Sequence, residues 1–460
     1  MVNSAPLSDF LSSIALRGRA IIGLRPISRQ ETSSEGIVEL CRNLLTSRGD
    51  ASGIALSNEA LSAYEYLDNS GKLAFFNALY EDFTADPERT RQAASAYLAD
   101  PSQTNLSSLS AAAEPSRRRL IIRLNQAPNA TLRLIRMRTD LLRLAQEHRH
   151  LREVDRDFSK LFTSWFNGGF LQLRRLDWST PASILENIIR YEAVHGMSGW
   201  DDLRERLDPP DRRIYGFFHP RLNDEPLIFI EVALMEETPS SIQAVLGPDR
   251  KRIDPAKAKT AVFYSISNCQ DGLRGIPLGS FLIKRVVEDL QRSLPQLKRF
   301  ITLSPAPGFA AWLDRMLLNG RAGEAGGPSQ SLYENLASIR DNRWIDDPAR
   351  MEQLKDTITS AAAFYFTSAK NANAQPLDPV ARFHLGNGAQ LERINWPADL
   401  SAHGLKQAYG VMVNYQYHLG DIERNNERFS EQGEVCTSTE VAKLARQFKQ
   451  KANPLHLDAA

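Results

Sequence analysis

The stretch from Ala261 to Leu294 constrains this chain most, because its hydrophobic period changes once within it. Ala261-Val262-Phe263-Tyr264-Ser265-Ile266 is aromatic and β-branched and predicts a strand. Ile283, Val286, Val287, Leu290 and Leu294 recur at i, i+3, i+4, i+7 and i+11 and predict an amphipathic helix. Between them lie Gly272, Gly275 and Gly279. Glycine allows backbone N–H groups to approach a ligand closely, and a helix N-terminus favours anions through its free N–H groups and its dipole. A strand, glycine loop and helix in this order therefore suit a pyrophosphate. An ordinary βα turn explains the same spacing, and short glycine patterns often match by accident.

The chain has 460 residues, beyond the roughly 250–300 that one core supports, so two domains are expected. Its 42% apolar and 24% charged residues are those of an ordinary globular protein. A formal net charge of +1 gives no reason to invoke nucleic acid. Cys41, Cys269 and Cys436 are widely spaced and odd in number, which excludes a disulfide framework or a zinc spacing and fits a reducing compartment. No run of about 18 apolar residues is present, so no membrane span is expected. Arg17 and Arg19 interrupt the apolar start and exclude a secretory signal. With Arg25 and Arg29 they leave a mitochondrial presequence open.

From about residue 30 to 165 the pattern is helical. Leu134, Met137, Leu141, Leu142 and Ala145 form one apolar stripe, and Asp86-Pro87-Glu88 has an N-cap followed by proline at the first helical position. Ten arginines between Arg117 and Arg152 are read as a solvated face or a subunit interface paired with acids. No catalytic constellation is visible there, which leaves packing or oligomerisation. Strands are expected at Pro226–Leu234, Ala261–Ile266 and Arg299–Leu303. The helix Phe281–Leu294 between the last two makes a right-handed parallel crossover. A helix over Ala310–Leu318 is followed by a glycine-rich loop or flap, Asn319–Gln330. Phe383–Asn395 is read as a late strand or hairpin turning at Gly386-Asn387-Gly388. The fold class is α+β: an all-helical domain over 1–165, then a mixed-sheet catalytic domain over 166–460.

Arg274-Gly275-Ile276-Pro277-Leu278-Gly279 resembles the coenzyme A pyrophosphate loop of the N-acetyltransferase superfamily, Q/R-x-x-G-x-G/A, with Pro277 where glycine is usual. Four further segments follow the same pattern of resemblance. They are His219-Pro220-Arg221 with Glu225–Leu234; Leu303-Ser304-Pro305-Ala306-Pro307-Gly308-Phe309; Phe383-His384-Leu385-Gly386-Asn387-Gly388-Ala389; and Arg393-Ile394-Asn395-Trp396 with Asn414-Tyr415-Gln416-Tyr417. In this order, from about Trp165 to Phe448, they resemble the malonyl-CoA decarboxylase family. The resemblance implies a helical domain used in assembly and an N-acetyltransferase-like catalytic domain; the apolar stripes and excess arginine of the first 165 residues suggest a homodimer or homotetramer. It implies conversion of malonyl-CoA to acetyl-CoA and CO2, with Ser304 and His384 as catalytic dyad and Arg274, Gly275, Ile276, Pro277, Leu278, Gly279 and Ser280 on the coenzyme. The C-terminus, Leu457-Asp458-Ala459-Ala460, lacks the Ser-Lys-Leu signal of animal relatives, which suggests a bacterial, cytoplasmic protein.

The chemistry explains why so few residues suffice. The thioester carbonyl of a β-carbonyl carboxylate accepts the electrons released as CO2 leaves, so no metal or organic cofactor is expected. A hydroxyl orients the carboxylate, a role assigned to Ser304. An imidazole of near-neutral pKa protonates the carbanion carbon, a role assigned to His384. Enolate stabilisation calls for hydrogen-bond donors, expected from backbone N–H groups. Blander readings stand beside these. Ser304-Pro305 also suits a helix start, and a histidine between Phe383 and Leu385 also suits a packed interior. His219 is read as ending a loop, and His148 and His150 have no partner suggested. Glu231 is either buried with a partner or facing the site. Asn268 suits a turn or a ligand. Tyr415 and Tyr417 share a strand face and are read as core. Two rival functions remain: a CoA-dependent acyltransferase and a non-catalytic acyl-CoA-binding regulator.

Overall fold

The computed structural model describes residues 5–22, 33–278, 282–319 and 330–452. The chain divides into two compact units. One holds the described residues of Met1–Gln172, Phe218–Leu227 and Cys269–Gly279; the other holds those of Leu173–Phe217, Ile228–Asn268 and Ser280–Ala460. The Asn319–Gln330 loop expected from the glycines falls almost wholly outside the described residues. Among the described residues no helix is long and apolar enough to cross a membrane.

The first unit is helical, and its helices begin where short polar side chains can satisfy free N–H groups. Ser33, Asp68 and Ser102 cap the helices Ser34–Thr46, Asn69–Glu81 and Gln103–Ala112. Asp86 accepts from the N–H groups of Glu88 and Arg89, with Pro87 at the first position, as its sequence predicts. The apolar stripe Leu134, Met137 and Leu141 is buried on the Ala130–Leu144 helix, beside the buried Phe158 and Phe162 of Leu151–Trp165.

Two of the ten arginines differ from the solvated-face reading, while Arg119, Arg136, Arg143, Arg149 and Arg152 are exposed. Arg117 and Arg138 are only 6% and 2% exposed, because Asp157 and Asp155 on the Leu151–Trp165 helix meet them at 2.7 Å. These ion pairs lie inside the unit rather than on a solvated face. Arg138 also donates to the carbonyls of Gly272 and Arg274 at 2.7 and 3.1 Å. It thereby seats the Asp271–Leu273 turn on the Ala130–Leu144 helix. Gly272 is required there, since a Cβ would lie 1.9 Å from the Ile135 carbonyl oxygen. Its close approach serves packing against a helix.

The second unit is built on a mixed sheet of eight strands: β1 Gln172–Leu176, β2 Arg212–Phe218, β3 Pro226–Met235, β4 Thr260–Asn268, β5 Arg299–Thr302, β6 Ser304–Pro305, β7 Gln390–Asn395 and β8 Met412–Gln416. The order is β1-β2-β3-β4-β5-β8-β6, with β7 also on β8. β4 and β5 run parallel, from Thr260 opposite Arg299 to Phe263 opposite Thr302. The helix Leu282–Ser293 connects them and buries Ile283, Val286, Val287 and Leu290, so the expected crossover is present as a parallel pair. β3 and β4 are antiparallel and slip register between Glu231 and Val232, which leaves Tyr264 as the extra residue of a bulge. The helical region followed by a mixed-sheet region agrees with the α+β expectation.

One element departs from it. Phe383 lies in a helix, Pro379–Gly386, and the late strand starts only at Gln390. Asp378-Pro379 is the same start signal as Asp86-Pro87, with N-cap and proline in place. Gly386-Asn387-Gly388 ends this helix, Asn387 donating to Phe383 and His384 carbonyls at 3.1 Å.

Two outcomes follow for stability. Arg138→Ala leaves Asp155 and two carbonyls without their partner and should destabilise the helical unit by on the order of 3 kcal/mol in urea unfolding. Arg138→Met combined with Asp155→Leu should recover much of that loss; no recovery would mean that the carbonyl bonds dominate. Asp378 is fully buried, and burial pushes its carboxyl up to about 6 from 3.8 despite the backbone N–H groups it accepts. A raised acid binds its proton more tightly in the fold, so its stabilising contribution is complete below about pH 3.8 and is lost as pH rises through 6. Asp378→Asn keeps a capping acceptor but cannot titrate. The stability of wild type relative to this variant should fall by about 2–3 kcal/mol between pH 4 and 7. A constant difference would contradict the raised carboxyl.

Candidate active site

The candidate site forms where two strands part. Beyond Phe263 and Thr302 the β4–β5 ladder ends; Leu303 still donates to the Phe263 carbonyl, but Ser304 pairs with Val413 of β8. A cavity of about 220 Å³ lies at the fork. Phe263, Tyr264, Ile266 and Asn268 of β4 line it, with Ser304 and Pro305 of β6. Pro379, Val380, Phe383 and His384 of the Pro379–Gly386 helix also face it, and so does Val194. Glu192 holds that last segment. Its carboxylate accepts from the N–H groups of Val194 and His195 at 2.9 and 2.7 Å, and from the Ser265 hydroxyl at 2.9 Å.

Ser304 and His384, 80 positions apart in sequence, meet at 3.0 Å between Oγ and Nε2. Ser304 is not a helix cap; it is a strand residue, 5% exposed, whose hydroxyl donates to Thr302 Oγ1 at 2.9 Å. Thr302 Oγ1 also accepts from the Tyr415 N–H at 3.0 Å. On its other side the His384 ring meets the Tyr417 hydroxyl, 2.8 Å from Nδ1, and its face stacks on Tyr415 with centroids 4.6 Å apart. Tyr415 and Tyr417 reach one ring because alternate strand residues point the same way. His384 is 2% exposed, and burial pushes its imidazole down to about 3 from 6.5. The near-neutral pKa expected from the sequence is therefore not found: burial, with no carboxylate beside the ring among the described residues, favours the neutral form.

Asp378 ties the serine segment to the histidine helix. One carboxylate oxygen caps that helix through the N–H groups of Val380 and Ala381, each at 2.9 Å. The Gly308 N–H also bonds this carboxylate. A Cβ at Gly308 would lie 2.4 Å from the Tyr365 hydroxyl, which explains the glycine. Asn414 braces the neighbouring strands. Its amide donates to the Thr302 carbonyl at 2.6 Å, and its oxygen accepts from Arg393 at 3.0 Å and Asn395 at 2.8 Å. Sequence reading passed over Thr302 and Asp378 and assigned Tyr417 to the core. Asp378-Pro379 carried a readable cap signal; nothing in the sequence links Thr302 or Tyr417 to the ring.

The remaining candidates fall elsewhere. Leu273–Ile276 is a turn closed by the Ile276 N–H on the Leu273 carbonyl, with Gly275 at φ +78° after Arg274 at φ −54°, ψ 128°. That is a type II turn, in which the third residue favours glycine. Arg274 is exposed and pairs with Asp271 at 3.2 Å; Ile276 is buried, Pro277 exposed and Leu278 half-buried. Gly279 and Ser280 lie outside the described residues. Glu231 is fully buried on Arg206 at 3.1 Å, and burial together with Glu192 pushes its carboxyl up to about 7. His219 accepts from the Arg221 N–H and packs on Phe166, a structural role. His150 bonds Asn77 at 2.8 Å and packs edge-on to Tyr80.

Comparison with known proteins points to one family. Residues 169–455 match the family model of the malonyl-CoA decarboxylase C-terminal domain, and residues 83–166 match that of its N-terminal domain. The mitochondrial malonyl-CoA decarboxylase of Anser anser anser is 36% identical over 341 residues, covering 69% of this chain and 67% of the relative. Its Mus musculus counterpart is 35% identical over 338 residues, covering 69% and 68%. The crystal structure of malonyl-CoA decarboxylase from Rhodopseudomonas palustris is 50% identical with a TM-score of 0.86, covering 89% of this chain and 99% of that one. That from Agrobacterium vitis is 49% identical with a TM-score of 0.83 and the same coverage. The chain belongs to the malonyl-CoA decarboxylase family.

Proposed function

We propose that this chain is a carboxy-lyase that converts malonyl-CoA to acetyl-CoA and CO2 through Ser304 and His384, with no metal or organic cofactor. The observation that carries the residue roles is the 3.0 Å contact of Ser304 with His384 at the wall of a cavity opened by parting strands. The Ser304 hydroxyl turns from Thr302 to the substrate carboxylate and holds its C–C bond across the plane of the thioester carbonyl. As that bond breaks, CO2 leaves and the electron pair passes into the carbonyl to give an enolate. A proton on the α-carbon then yields acetyl-CoA. The neutral His384 takes this proton from solvent as the substrate brings a carboxylate beside it, because a nearby opposite charge favours the protonated ring. The charges balance: carboxylate and imidazolium become CO2, a neutral thioester and neutral imidazole.

The coenzyme's pyrophosphate is assigned to Arg274–Ser280 on the motif alone. Assembly is assigned to the helical unit, which leaves Phe10, Leu16, Ile21 and Leu98 exposed by 60%, 66%, 72% and 80%. A homodimer or homotetramer is the expected form, and light scattering showing only monomer at micromolar concentration would overturn it.

The activity test is acetyl-CoA and CO2 formation from malonyl-CoA by purified protein without an acyl acceptor. A requirement for an acceptor would identify an acyltransferase instead. His384→Asn and Ser304→Ala should each lower kcat by on the order of 10²-fold or more while CoA affinity stays within several-fold. Near-wild-type kcat in either variant would remove that residue from the reaction. Gly279→Val should raise KM by obstructing the backbone, and Arg274→Ala should raise it less; unchanged KM in both would move the pyrophosphate elsewhere.

A further inference from the structure

We infer that Tyr417 is a positioning residue that sets the tautomer of His384, directing the ring's proton to Nε2 and so to Ser304. This inference rests on the decarboxylase reading of the site for its consequence, but its geometry stands alone. A hydroxyl has one proton to give. The Ser304 proton points to Thr302 Oγ1, which also accepts from the Tyr415 N–H. With its proton committed, Ser304 Oγ meets His384 Nε2 at 3.0 Å as acceptor, so Nε2 carries the hydrogen. In a neutral imidazole the other nitrogen is then an acceptor. The group facing it, 2.8 Å away, is the Tyr417 hydroxyl, which therefore donates to Nδ1.

Tyr417 is suited to this. It is 1% exposed, and burial holds its phenol well above the usual range, so the proton stays on oxygen. Its backbone is pinned, the N–H donating to the Phe300 carbonyl at 2.8 Å, and its ring packs edge-on against Phe263. The opposite tautomer would place lone pairs of Nε2 and Ser304 Oγ face to face unless the serine gave up Thr302. When the ring takes up a proton with the substrate, the same Tyr417 oxygen turns acceptor for Nδ1–H, so one residue serves both charge states without moving.

The test uses the full chain labelled with ¹⁵N-histidine. The His384 resonances are identified as those missing from His384→Asn. In wild type at neutral pH, Nε2 should show the protonated signature and Nδ1 the unprotonated one. Tyr417→Phe, which removes only the hydroxyl, should shift the ring toward a mixture of tautomers. It should also lower kcat roughly 10-fold or more with KM within about threefold, because the interaction counts in proton delivery rather than in holding the coenzyme. A wild-type ring protonated at Nδ1 overturns the inference whatever Tyr417→Phe does. An unchanged tautomer with wild-type kcat in a Tyr417→Phe protein of normal thermal stability overturns it equally. Loss of the decarboxylase reading itself would show differently, as wild-type protein with the expected tautomer and no CO2 release.

Discussion

The Asp378 carboxylate is the physical link on which the site depends. It lies fully inside the protein, caps the helix that carries His384, and takes the Gly308 N–H from the loop that follows Ser304. Two segments 80 positions apart are brought to hydrogen-bond distance partly because one short side chain serves both. Burying a carboxylate is unfavourable, and the fold offsets this with donors on several sides while favouring a proton on the group. Gly308 belongs to the same constraint, since any side chain there would displace the Tyr365 hydroxyl.

Beside this link, the sheet does the coarse positioning. β8 pairs with β5, β6 and β7, so the strand with Tyr415 also fixes Ser304 and the β7 residues Arg393 and Asn395. Asn414 satisfies three neighbours from the interior of that strand. Fully bonded polar groups of this kind make a rigid wall, and a rigid wall is what lets a serine and an imidazole hold their geometry. The bulge at Tyr264 and the end of the β4–β5 ladder supply the opening.

Several buried ionisable groups of the second unit have partners. Glu231 sits on Arg206, and Glu192 on backbone N–H groups and Ser265. His384 has no charged partner among the described residues, and burial favours its neutral form. In the proposed reaction, which consumes a proton as an anion decomposes, a neutral imidazole in the cavity wall is a site where substrate charge and proton would arrive together.

Local signals in the sequence determined much of this protein. Asp86-Pro87, the apolar stripe from Leu134, the Ala261–Ile266 strand and the helix after it were all legible, because caps and hydrophobic period act over a few residues. Ser304 and His384 were legible through motifs rather than through local physics. Asp378-Pro379 was legible too and was passed over, which turned a helix into a strand. Gly272 was open to a ligand or a turn reading, and only its approach to the Ile135 carbonyl shows that it serves packing. Tertiary structure alone decided the His384 pKa, the meeting of Ser304 with His384, and the hydroxyl of Tyr417 on the second ring nitrogen, 33 positions away. Desolvation and hydrogen-bond partnership are properties of the surroundings, and those surroundings are assembled from chain segments that no local pattern relates.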